Sequence, residues 1–125
     1  MLKAIQLINE AKSKSSDIAS LKEPVLVDLH PARPDFRGMK IGSEVYSLEE
    51  DPTFQEIENA GARVEKNDTP HNVLGDMFLI SGEIPRVTDY ETGVKHGLRF
   101  DKGSGQWNED ELIMDERFLA CKLKG

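Results

Sequence analysis

Leu2, Ile5 and Ile8 recur at near-helical spacing, with Ala4 and Leu7 widening the apolar stripe and Lys3, Gln6 and Glu10 on the other side. That period predicts a short amphipathic helix from Met1 to Lys14. The small, polar stretch Ser13 to Ser20 then leads into Pro24-Val25-Leu26-Val27-Asp28-Leu29-His30, whose branched apolar residues read as a buried strand. Pro31 and Pro34 lack a backbone donor and break regular pairing, so His30 to Ser43 reads as a long loop of the kind that lines a site. Asp51-Pro52 has the chemistry of an N-cap and a first-turn proline, and the apolar stripe Phe54, Ile57 and Ala60 stops at Gly61. A helix is expected between them.

Arg63 to Lys66 and Asn72 to Ser81 read as strands, with Gly75-Asp76 as a hairpin turn or bulge in the second. Gly82 to Gly105 is rich in loop residues, and Phe118 to Leu123 predicts a final strand. Lys122-Leu123-Lys124-Gly125 has the turn chemistry of a hairpin entry. Helical and extended segments interleave, so the expected class is α/β, a mixed sheet with flanking helices. No internal repeat or linker divides the sequence, and residues 1–125 are expected to be a single domain or an internal segment of a larger one.

The formal charge of −7, from 16 basic and 23 acidic side chains, repels phosphate backbones and anionic lipid, which argues against nucleic acid and membrane as partners. Cys121 is the single cysteine, so neither an internal disulfide nor a four-ligand cysteine-rich zinc site can form. No apolar stretch approaches the roughly 20 residues of a membrane helix. A cytoplasmic address is the simplest expectation.

Ser81 to Gly93 (SGEIPRVTDYETG), followed by Asp110 to Gly125 (DELIMDERFLACKLKG), resembles one branch of the metallo-β-lactamase superfamily, the dihydropterin-ribofuranosylaminobenzene-phosphate synthase-like proteins. In that branch a Gly-Glu-Ile-Pro-Arg segment precedes a Met-Asp-Glu segment that leads into a strand. Val27-Asp28-Leu29-His30-Pro31 and the Asp51-Pro52 helix share the resemblance, which thus spans nearly the whole sequence. It implies part of an αβ/βα sandwich and a metal-dependent hydrolase, or a related transferase, acting on a small, possibly phosphorylated molecule with zinc or another divalent metal. The family's His-x-His-x-Asp-His motif lies upstream of a helix like Met1 to Lys14, and a further histidine ligand lies beyond a hairpin like the one entered at Gly125. Neither is in this sequence, which implies an internal segment that binds no metal and is inactive alone. The rival reading is a non-catalytic binding or interaction module that kept the scaffold without the metal. Truncated sheet edges would also favour self-association.

Three residues stand out as substrate-binding candidates: Glu83, Arg86 and His30. Pro85 fixes the relative direction of Glu83 and Arg86, and a guanidinium suits bidentate capture of phosphate or carboxylate, although an internal ion pair that staples the loop serves equally well. His30 ends a strand, where ligand crevices often open, or it simply caps that strand. His71 is expected in a surface turn and His96 in solvent. Asp115, Glu116 and Arg117 suggest salt bridges at a strand entrance. Trp107 is either a lid or a cover for the core edge. Cys121, in an alternating apolar run, reads as a small buried hydrophobe.

Overall fold

The computed structural model describes residues 1–15 and 23–123, and the chain is an α/β protein in which two helices and nine strands are described. The polar stretch up to Ser20 falls largely outside the described residues, as do Lys124 and Gly125. Contacts divide the chain into two compact units, one from residues 1–29 and 51–66, the other from residues 30–50 and 67–125.

The first unit holds helix α1 (Leu2–Ser13), strand β1 (Val25–Leu29), helix α2 (Phe54–Asn59) and strand β4 (Ala62–Lys66). β1 and β4 pair in parallel, from Val25 opposite Ala62 to Leu29 opposite Lys66, and α2 is the crossover element of this β-α-β unit. Ile5 and Ile57 are its buried apolar side chains. Asn9 Nδ2 donates to the carbonyls of Ala60 and Gly61, which ties α1 to the end of α2. α2 is capped by Thr53, whose hydroxyl accepts from Glu56 N while the Glu56 carboxylate accepts from Thr53 N. The cap therefore lies two residues beyond the Asp51 expected from sequence, because this reciprocal box satisfies two helix-end donors.

The second unit contains two antiparallel sheets. One has the order β3-β2-β7-β8, built from β2 (Phe36–Ile41), β3 (Glu44–Ser47), β7 (Gly97–Asp101) and β8 (Gln106–Glu109). The other has the order β5-β6-β9, built from β5 (His71–Val73), β6 (Phe78–Ile80) and β9 (Leu119–Cys121). Phe36, Phe100 and Trp107 lie across three neighbouring strands, with Phe36 and Phe100 stacked at 4.6 Å and Trp107 edge-on to both. Trp107 thus covers its own sheet, the second of the two roles read for it.

Several expectations are corrected. The segment 30–43 is a loop only as far as Asp35, because β2 finds partners on both sides despite its glycine and charges. Within Gly82 to Gly105, expected to be rich in loop, β7 is a strand, and β8 follows directly after that stretch. β1 is mostly half-buried rather than buried, and Cys121 is exposed because β9 is an edge strand. His71 begins β5 instead of lying in a turn. Among the described residues, no helix is long and apolar enough to cross a membrane.

Candidate functional site

Four loops of the second unit meet around Glu83: residues 30–35, 67–70, 81–93 and 110–118. Gly82 makes the approach possible. Its φ is +68°, and a Cβ there would stand 2.5 Å from the Asp68 carbonyl oxygen, so only glycine lets the two backbones lie this close. Glu83 N donates to that same carbonyl at 2.8 Å. Ser81 is buried, with its N–H donating to Phe118 O at 3.1 Å and its hydroxyl accepting from Phe118 N at 3.0 Å. Backbone bonds on both sides therefore fix where the Glu83 side chain starts.

His30 fixes where it ends. The imidazole is 3% exposed, its Nδ1 accepts from Ala32 N at 3.1 Å, and its Nε2 lies 2.9 Å from Glu83 Oε1. Since Nδ1 is an acceptor, the proton of the neutral ring sits on Nε2 and is donated to the carboxylate. Glu83 stays 41% exposed, so one carboxylate oxygen is held from below while the side chain faces solvent. Such a carboxylate is an acceptor of fixed direction for a hydroxyl or amine of a ligand.

Arg86 is placed differently. Its Nη2 donates to the Leu112 carbonyl at 2.8 Å and to Glu116 Oε2 at 2.7 Å, which joins the loop at Pro85 to the segment entering β9. Its buried Nε has no hydrogen-bond partner among the described residues. The guanidinium acts here as a staple between loops.

The residue that sequence reading passed over is Arg37, in the segment taken for a loop. Its Nε donates to Asp110 Oδ2 at 3.0 Å and its Nη2 to Asp115 Oδ1, and the three side chains are 25%, 7% and 14% exposed. Burial alone would lower its pKa, but the pairing with Asp115 and Asp110 outweighs this and leaves the guanidinium more firmly protonated than usual. No local alternation marked this strand, since Phe36, Gly38 and Lys40 on one face and Arg37, Met39 and Ile41 on the other each mix apolar and charged residues. Asp115, Glu116 and Arg117 each have an internal partner, the last through the Asn67 carbonyl, in keeping with the salt-bridge reading.

The other histidines bond to backbone or carboxylate groups of the neighbouring segments. His71 Nδ1 engages Thr69 O, and His96, at φ +63°, takes part through its backbone N–H to Glu111 and its carbonyl to Lys40. Among the described residues, no three His, Cys, Asp or Glu side chains gather where a metal ion could be held. No family model matches the sequence, and no curated protein or solved structure matches it.

Proposed function

We propose that the chain is the substrate-side segment of a metallo-β-lactamase-fold hydrolase or related transferase, of the dihydropterin-ribofuranosylaminobenzene-phosphate synthase-like branch. One observation supports this reading: the separate sequence segments that carry the resemblance converge. Glu83 and Arg86 of the Gly-Glu-Ile-Pro-Arg segment bond to His30 and to Glu116 of the Met-Asp-Glu segment, at 2.9 and 2.7 Å. In this reading the α/β units belong to an αβ/βα sandwich, and Glu83, oriented by His30, accepts a hydrogen bond from a small substrate. Zinc or another divalent metal would be held by residues outside this sequence and would activate water there. Small-molecule chemistry also suits a surface of net charge −7 better than a nucleic acid does.

Arg86 supports a second reading, because its fork already engages internal acceptors, as in a module that binds without catalysing. Genomic sequence around the coding region separates the two. An in-frame His-x-His-x-Asp-His before Met1 is the expected finding, and a stop codon between any such motif and Met1 would remove the hydrolase reading. In a protein that carries the motif, Glu83→Gln should lower kcat/KM for phosphodiester or ester substrates about 100-fold while the fold is kept.

A further inference from the structure

The outer edge of β9 is built for pairing. In the β6–β9 ladder Ile80 faces Leu119, Leu79 faces Ala120 and Phe78 faces Cys121, while Lys122 N donates to Met77 O and Ser81 N to Phe118 O. The backbone groups of Phe118, Ala120 and Lys122 therefore point to β6, and by the alternation of an antiparallel ladder those of Leu119 and Cys121 point outward. Nothing among the described residues covers them: Leu119 is 62% exposed, Phe118 54%, and Cys121 is exposed as well. An apolar edge of this kind is a template for another strand.

We infer that this edge pairs antiparallel with the same edge of a second copy of this chain, about a two-fold axis at Leu119. The charges around β9 favour that occupant and that register. Glu116 precedes the strand and Lys122 follows it, so an antiparallel copy centred on Leu119 sets Glu116 opposite the second copy's lysine, twice by symmetry. Glu116 is half-exposed beside Arg86, and so retains a face for this contact. The pairing makes one six-stranded antiparallel sheet from two three-stranded ones, and Leu119 meets its counterpart in a hydrogen-bonded pair with Cα atoms about 5.5 Å apart. This goes beyond the proposed function and competes with it for the same edge, because the hairpin that reading enters at Gly125 would lay its return strand against β9.

Sedimentation of the 125-residue chain over a range of concentration tests the association, and oxidation tests the register. The chain should dimerise reversibly, and Leu119→Lys and Lys122→Glu should each weaken the dimer about tenfold, because symmetry repeats every lost pair. Both positions are exposed, and an unchanged circular dichroism spectrum confirms that each variant is folded. Leu119→Cys combined with Cys121→Ser should give a disulfide-linked dimer on mild oxidation, because that register brings position 119 against itself within disulfide reach. Cys121 of the unmodified chain, displaced from its counterpart by four residue steps, should not cross-link. A monomer at every concentration, a dimer indifferent to both surface variants, or cross-linking through Cys121 instead of position 119 would each overturn the inference. A monomer at every concentration would point to another occupant of the edge, such as a strand from a longer form of the chain.

Discussion

The Trp107 ring fills the space that a side chain at position 38 would need. A Cβ on Gly38 would lie 2.8 Å from two ring carbons and 2.7 Å from the Tyr46 carbonyl oxygen. The glycine thus makes room for the aromatic group that Trp107 forms with Phe36 and Phe100.

Gly38→Ala should therefore push the indole off its sheet. The expected loss is about 1–3 kcal/mol, the usual cost of overpacking a filled site. Denaturant unfolding followed by the fluorescence of Trp107, the sole tryptophan, reads both the loss and a red shift of the native emission. An unchanged midpoint would mean that the ring is not seated as described.

Removing the charge of Arg37 should cost more. Arg37→Met leaves two mostly buried carboxylates, Asp110 and Asp115, without their cation. The expected destabilisation is about 3 kcal/mol, the low end for a buried pair because the guanidinium is itself a quarter exposed. Arg37→Met combined with Asp110→Asn and Asp115→Asn should recover part of it, since the uncompensated charges go too. Equilibrium unfolding of the series at neutral pH checks both statements.

The strands and loops differed in how far the sequence revealed them. α1, β1, β4 and the β5–β6 hairpin follow from patterns within a few residues, such as the Leu2-Ile5-Ile8 period and the Gly75-Asp76 turn. β2, β7 and β8 were hidden because their stability comes from partners distant in sequence, as where Phe36 meets Phe100 and Phe100 meets Trp107. The same separation hid Arg37, whose carboxylates lie more than 70 residues away. His30, Glu83 and Arg86 were recognisable as chemically capable, but nothing local showed that His30 would hold Glu83 or that Arg86 would turn to Glu116.

The turn at residues 87–91 carries a pH signature. The Thr88 hydroxyl, then the Val87 and Thr88 N–H groups, donate to the Glu91 carboxylate and hold its pKa below the usual range. A depressed folded pKa contributes stability that is present above the unfolded value and lost as pH falls through the folded one. Carboxyl carbon NMR should show Glu91 titrating below the other exposed glutamates, and Thr88→Val should bring it back toward them. A Glu91 titration indistinguishable from an ordinary glutamate in the unmodified chain would contradict this.

Metal binding offers a direct check on the chemistry of the chain by itself. Protein purified without an affinity tag should retain well under one zinc per molecule and should not hydrolyse phosphodiesters or lactones with added zinc or manganese. Stoichiometric metal with turnover that a chelator abolishes would require a metal site in this chain, against the expectation.

Gly82 also constrains ancestry. Any side chain there would run into the backbone at residues 68–70, and its φ of +68° already disfavours one. Gly93 is pressed in the same way against the backbone of Glu111, at φ +71°. A distant relative can exchange the charges of this loop and still fold, but it cannot easily give up either glycine. Two glycines eleven positions apart, the first just before an acidic residue, form a pattern by which such relatives can be sought when overall similarity has faded.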